Sequence, residues 1–319
     1  ENSLSVLELS SFQLEFYEKG LKAPKIAIIT NIYNDHLNRY SGFEEYATVK
    51  ARIFQNQQKN DYLILNLDNN WTKFFLKLKP KSQVYFVSLK RKPKRGIYIK
   101  DRKIFIKDKK NYQIFSVKKF KEIYGEHNLY NLLFSILAVY LYLKSKNIKN
   151  PEVKIKKLKN FILELKTPKF RQEIVYQSKN LIIVNDSSAT SPDATINAIE
   201  RFKKYKNLIL ITGGTDKNLD FKDLAKKIKK EIKPENLILI EGSATTKLIE
   251  ELKKINYNIK KENFFKDLKK AIKLLVPKLK SKNLSQSMVL FSPASASFEK
   301  FRNEFDRGKK FNKLIKKFF

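Results

Sequence analysis

The chain has 319 residues, 42% of them hydrophobic, with 67 Lys and Arg against 32 Asp and Glu and a formal charge of +35. That length and apolar content suffice for two globular domains, each with its own core. The absence of cysteine excludes disulfides, thiolate catalysis and cysteine-ligated zinc, and is compatible with a reducing compartment. The charge invites a nucleic-acid reading, yet the lysines are dispersed through every segment, and the dense run at residues 90 to 95 has no interleaved aromatics. Dispersed lysine is a solvated surface, so no specific nucleic-acid partner is expected. The longest apolar run, residues 132 to 143, is too short to span a bilayer and reads as a buried helix, so no membrane partner is expected either.

In chain order, residues 4 to 9 read as a strand and "KIAIITNI" (25 to 32) as a buried one. A helix is expected over 43 to 58, where Phe43, Tyr46, Ala47, Ile53 and Phe54 recur at a period near 3.6 and Lys50 interrupts the apolar stripe. The strand "DYLILNL", a helix near 71 to 78 and the strand "QVYFVSL" continue an α/β alternation. Residues 95 to 117 alternate apolar and polar positions like short antiparallel strands, and helices follow at 127 to 145 and 151 to 165. Pro168 marks the expected boundary between a domain over 1–166 and one over 167–319. Beyond it, "NLIIVND", "NLILITGG", "NLILIEG", a weaker strand at 256 to 260, and "SMVLFSP" each lead towards a helix, the pattern of a doubly wound parallel sheet. Ligands of such sheets gather at the carboxyl ends of the strands.

Three groups of residues sit where chemistry is expected. Glu8, and Asp35 with His36, stand at or just after hydrophobic strands, where a carboxylate and an imidazole can hold Mg²⁺. Lys50 is costly to bury as an ammonium and is either snorkelling to water or converted to an anionic carbamate. Asn128 and Asn131, three apart at the start of an apolar helix, share a face and can meet a base or phosphate, or serve as caps. "GGTDK" is a glycine turn leaving a strand, where backbone and Lys217 can approach an anion; Lys217 as a solvated surface residue is the alternative.

The ordered motifs "LELSSFQLE", "TNIYNDHLNRY", "EEYATVKARIF", "GEHNLYN", "NDSSATSPDAT", "ITGGTDKNLDF" and "SPASASFEKFRNEFDRGKKF" resemble those of the Mur ligases, and the last resembles the branch that adds D-glutamate. The resemblance implies the later part of a central ATPase domain followed by a Rossmann-like C-terminal domain, both α/β. It implies cytoplasmic synthesis of a peptidoglycan precursor: ATP phosphorylates the carboxylate of UDP-N-acetylmuramoyl-L-alanine, and the D-glutamate amine attacks the acyl phosphate. It assigns Mg²⁺, two ions, to Glu8, His36 and a carbamylated Lys50, and the nucleotide to Asn128, Asn131, Arg171 and Asp186. D-glutamate falls to Thr190, Lys217, Ser297 and Phe298, with backbone N–H groups near Asn303 and Glu304. A monomer is expected.

Three departures from the family pattern stand out. Ser188 occupies a position usually held by lysine, and Phe170 one usually held by histidine. No G-x-x-x-x-G-K-[ST] loop is present; "RGKKF" (307 to 311) comes nearest and follows no strand. The family's phosphate loop and UDP-binding domain are expected upstream of Glu1, so residues 1–319 alone are expected to lack ligase activity. A non-catalytic remnant that binds nucleotide or D-glutamate is the alternative.

Overall fold

The computed structural model describes residues 3–32, 40–280 and 286–319, with the side chain of His127 excepted. The expectations for Asp35 and His36 lie outside the described residues. Two compact units divide the chain, Glu1–Leu165 and Lys166–Phe319.

The first unit is built on a six-stranded sheet in which chain order is also spatial order. β1 (Ile26–Ile29), β2 (Tyr62–Asn66), β3 (Gln83–Ser88) and β4 (Gly96–Lys100) run parallel, and β5 (Lys103–Lys107) and β6 (Asn111–Ser116) close the edge as antiparallel hairpins. The strand period of two sorts their side chains onto opposite faces. Leu63 and Leu65 of β2 join Tyr46, Ala47 and Phe54 of α2 (Phe43–Gln55) and a residue of the one-turn helix α1 (Ser11–Leu14) in one core. Tyr62 and Ile64 join Leu133, Leu137 and Leu141 in the other, below the apolar helix at Leu129–Ser145. Helices at Thr72–Lys77 (α3), Lys118–Tyr124 (α4), the Leu129–Ser145 helix (α5), Pro151–Lys157 (α6) and Lys159–Leu163 (α7) complete the unit.

Residues 4 to 9 do not form the expected strand: Leu4, Val6 and Leu7 are 62%, 87% and 74% exposed. A ladder needs partners for its N–H and C=O groups, and among the described residues no strand pairs with this stretch. Among the described residues β1 pairs with β2 alone.

The second unit is a doubly wound sheet of order β11-β10-β9-β12-β8-β7. Its strands are β7 (Glu173–Gln177), β8 (Leu181–Asn185), β9 (Asn207–Thr212), β10 (Leu237–Ile240), β11 (Phe264–Phe265) and β12 (Ser287–Phe291), parallel except β7. Leu208 and Leu210 face α8 (Pro192–Phe202), α9 (Lys222–Glu231) and α10 (Ser243–Lys254), while Ile209 and Ile211 face α11 (Leu268–Leu279) and α12 (Glu304–Phe318). The weak strand lies at Phe264–Phe265 rather than at 256 to 260. There, Tyr257 is buried and its hydroxyl donates to the Ile232 carbonyl at 3.1 Å, so the segment anchors a turn instead of extending the sheet. The antiparallel edge strand β7, irregular between Ile174 and Tyr176, was not foreseen.

Candidate functional site

In the first unit, Glu8 and Lys50 line one open depression together with Leu9, Ser10, Ser11 and Gln13, with about 360 Å³ of water-accessible volume. The turn after Glu8 is set by a capping box in which Ser10 N–H donates to Gln13 Oε1 at 2.8 Å and Gln13 N–H donates to Ser10 Oγ at 3.3 Å. Lys50 is half-buried on α2, its Nζ 5.9 Å from the centre of the Tyr46 ring. The helix face therefore places Lys50 at the rim of the core, beside an exposed carboxylate.

The carboxyl edge of this sheet is polar. Asn66 Nδ2 donates to Asn31 Oδ1 at 2.7 Å, joining the ends of β1 and β2. Asp68 accepts from Ser88 Oγ at 2.8 Å, from Leu89 N–H at 2.7 Å and from the Tyr130 hydroxyl at 3.0 Å. Asp68 thus ties α5 to the ends of β2 and β3, a role sequence reasoning missed although "NLDNN" leaves a strand as a dense polar run. The shared face of Asn128 and Asn131 is real: Asn131 Nδ2 donates to Asn128 Oδ1 at 3.1 Å, and Asn128 Nδ2 donates to the Tyr124 carbonyl at 2.8 Å.

In the second unit, Thr190, Lys217 and Ser297 follow the carboxyl ends of β8, β9 and β12, which are neighbours in the sheet. The latter two loops are zipped together, Thr215 N–H donating to the Ala296 carbonyl at 3.1 Å and Ala296 N–H to the Thr215 carbonyl at 3.0 Å. Gly214 has φ +143°, and a Cβ there would lie 2.6 Å from Ser295 Oγ, so only glycine lets the loops approach this closely. Asp216 secures the "GGTDK" loop to α10 through Lys247 and through its own N–H, which donates to Ser243 Oγ at 2.9 Å. Lys217 and Phe298 are exposed, Thr190 is half-buried, and Ser297 is buried; among the described residues the buried hydroxyls of Ser188, Ser295 and Ser297 have no hydrogen-bond partner.

Asp186 is buried, its Oδ1 accepting from Gln172 N–H at 3.1 Å and its Oδ2 from Ser292 Oγ at 2.8 Å. Burial pushes its carboxyl up to about 7 against the opposing pull of these bonds and of Arg171 and Arg201. The segment that carries Arg171 is held from three sides: by Asp186 through Gln172 N–H, by Arg201, which donates to Gln172 Oε1 at 2.8 Å, and by Ser188, whose N–H donates to the Phe170 carbonyl at 3.0 Å. The two departures from the family pattern, Phe170 and Ser188, are therefore direct neighbours. Phe170 is buried in a left-handed conformation, φ 62°, against Gly308.

Arg307 is the residue that sequence reasoning did not single out. It is 2% exposed at the first turn of α12. Its Nε donates to Ser187 Oγ at 3.1 Å, Nη1 to the Ala296 carbonyl at 2.9 Å, and Nη2 to the carbonyls of Ser187 at 2.8 Å and Ser295 at 3.0 Å. The loops after β8 and β12 are stitched through one guanidinium.

Two family models match the chain: Mur ligase middle domain over residues 1–139, and Mur ligase, glutamate ligase domain over residues 170–295. A Caldanaerobacter subterraneus subsp. tengcongensis protein named UDP-N-acetylmuramoylalanine--D-glutamate ligase is 34% identical over 318 residues, covering 98% of this chain and 64% of that protein. The protein of the same name from Borreliella afzelii is 37% identical over 326 residues, covering 97% of this chain and 63% of that protein. This chain belongs to the Mur ligase family. It spans somewhat less than two thirds of the length of these curated relatives. The Mur ligase fold is also shared with the MurF ligase from Thermotoga maritima, solved in complex with ADP, at TM-score 0.57 and 14% identity over 92% of this chain and 63% of that one. Among the described residues no helix is long and apolar enough to cross a membrane.

Proposed function

We propose that this chain supplies the later part of the ATP-handling domain and the amino-acid-binding domain of a ligase that adds D-glutamate to UDP-N-acetylmuramoyl-L-alanine in peptidoglycan precursor synthesis. The observation that carries this reading is 34% identity across 98% of the chain to a relative of that name. In this reading the γ-phosphoryl group of ATP passes to the L-alanine carboxylate, releasing ADP. The D-glutamate amine then attacks the acyl carbon, the phosphate departs, and the amine loses a proton to leave the amide.

The depression beside Glu8 and Lys50 offers hard oxygen donors and room for water, which fits Mg²⁺, an ion that uses one or two carboxylates and keeps several waters. Among the described residues no three His, Asp or Glu side chains gather for a metal, so Glu8 with water, His36 and an anionic Lys50 would make up the set. When bound, the ion neutralises charge developing on phosphate oxygens. An ammonium at Lys50 opposes a cation there; a carbamate reverses that sign. Asn128 and Asn131 offer paired amides to the nucleotide, and the family resemblance assigns Arg171 and Asp186 to it as well, Asp186 holding the backbone next to Arg171 through Gln172 N–H. Thr190, Lys217 and Ser297 take the two D-glutamate carboxylates, and Lys217, exposed on a secured loop, is free to swing onto one of them.

The test is incorporation of labelled D-glutamate into the nucleotide product by protein expressed from the whole reading frame that encodes this chain. Incorporation should require ATP, Mg²⁺ and UDP-N-acetylmuramoyl-L-alanine, and should release ADP and phosphate in equal amounts. Incorporation of a diamino acid or a dipeptide in place of D-glutamate overturns the reading.

A further inference from the structure

Arg307 is buried without a counter-charge. Its four hydrogen bonds go to one hydroxyl and three carbonyls, all neutral, and among the described residues it forms no ion pair. Burial lowers its guanidinium to about 10, with Glu304 opposing from a distance, so it remains protonated at neutral pH. Stability alone gives a poor account of this placement. A buried cation costs free energy unless paired, and this one stands in the first turn of α12, where the helix dipole favours anions such as its neighbours Glu304 and Asp306.

The surroundings supply the missing term. Arg307 lines a small cavity with Gly213, Gly214, Thr215 and Ser297 at the carboxyl ends of β9 and β12. A guanidinium has five N–H groups; the fifth, on Nη1, has no acceptor among the described residues. The buried hydroxyls of Ser295 and Ser297 also lack partners. An uncompensated cation beside unpartnered buried donors is what an anion site requires before its anion arrives.

We propose that Arg307 is a positioning and charge-setting residue of the amino-acid site: its fork holds the Ser187 and Ser295–Ser297 loops in register, and its unpaired charge favours a ligand with two carboxylates over one with a carboxylate and an amide. This rests on the D-glutamate reading above. The test measures D-glutamate and D-glutamine binding to the 319-residue chain by calorimetry, for the parent, Arg307→Lys and Arg307→Gln, with thermal melts alongside. The parent should bind D-glutamate at least about tenfold more tightly than D-glutamine. Arg307→Lys should keep that preference within about threefold while its D-glutamate affinity falls about tenfold, because an ammonium keeps the charge but not the fork. Arg307→Gln should bring the ratio of the two affinities close to one. A folded Arg307→Gln chain that keeps the parental ratio, or a folded Arg307→Lys chain with parental affinity, overturns the proposal. If Arg307→Gln does not fold, the Lys variant decides by the same two readings. A parent chain that binds no D-glutamate overturns the D-glutamate reading itself, and this proposal with it.

Discussion

Each unit of this chain buries charge, but they do so in opposite ways. In the first, Asp108 has a side chain only 4% exposed and accepts from Arg95 Nε at 3.1 Å, from Lys144, and from the hydroxyls of Tyr85 and Tyr140 at 3.2 Å each. Burial raises its carboxyl, but the bonds and charges of Lys144 and Arg95 outweigh that and hold it below the usual range. The buried carboxylate is compensated from within, and the groups proposed for chemistry, Glu8 and Lys50, stand apart from it at an open depression. In the second unit Arg307 is buried among neutral acceptors and Asp186 among neutral donors, both directly behind the loops proposed to bind ligand. A charge compensated inside the fold serves the fold, whereas one left uncompensated beside a cavity is available to a ligand.

The largest effect that tests this contrast is expected at Asp108. Asp108→Ala leaves two cations and two buried hydroxyls without their acceptor, and removing one partner of a buried pair costs about 3 kcal/mol or more. Urea denaturation of the chain should show it as a lowered midpoint with unchanged slope; a loss under about 0.5 kcal/mol would erase the distinction between the units. Next comes Lys50, half-buried at the rim of the open depression. In active protein, Lys50→Ala should lower turnover about a hundredfold, the scale of a lost charge-stabilising group. Added acetate should restore part of it, Lys50→Arg should not respond, and melting temperatures should barely move. Near-normal turnover by folded Lys50→Ala without any rescuer would return Lys50 to the status of a snorkelling surface residue.

Asp186 gives a smaller, pH-dependent effect. Its carboxyl is pushed up to about 7 from 3.8 when folded, so between those values the native state holds a proton that the unfolded state has released. Stability from this group is therefore complete below about pH 4, declines as pH rises from there towards 7, and is level above. Asp186→Asn, which can still accept from Gln172 N–H, should flatten that decline when urea midpoints at pH 5 and pH 7.5 are compared; an unchanged slope would place the titration elsewhere. The smallest effect is at Gly308, where a Cβ would lie 2.5 Å from Cδ1 of Phe170. Alanine in a helix gains about 1 kcal/mol over glycine, but overpacking costs about 1–3 kcal/mol, so Gly308→Ala should be a net loss of about 1 kcal/mol. Adding Phe170→Ala should cancel much of the Gly308→Ala penalty; strict additivity would mean that the ring does not set the limit.

Much of this architecture is legible in the sequence because burial on both faces writes continuous apolar runs. "LILIT" and "MVLF", short, apolar throughout and bounded by small or polar residues, read as central strands of a covered sheet. Residues 4 to 9 have an equally good pattern and yet no ladder, since pattern reports what a strand would bury and not whether a partner is present. β7 escaped notice for the converse reason: an edge strand with an irregular register and half-exposed residues carries little periodicity. Of the candidate residues, Lys217 stands out by its place on a glycine turn after a strand, whereas Thr190, Ser297, Arg171 and Asp186 are assigned only through the family resemblance. Arg307 does not stand out, because an arginine followed by glycine and lysines at the start of an amphipathic helix looks like surface charge until the loops it binds are seen folded against it.

Trp71 is the sole tryptophan in the sequence, and its ring lies 4.2 Å from that of Phe43, the first residue of α2, and 5.7 Å from that of Phe74. Indole emission from this chain therefore originates in one place, two turns of helix from Lys50, and none of it comes from the second unit. A shift of α2 on occupation of the Glu8 and Lys50 depression would change the Phe43 contact and with it the emission maximum. D-glutamate settling into the loops around Arg307 should leave the same signal dark, so a single optical channel can separate the two binding events without any label.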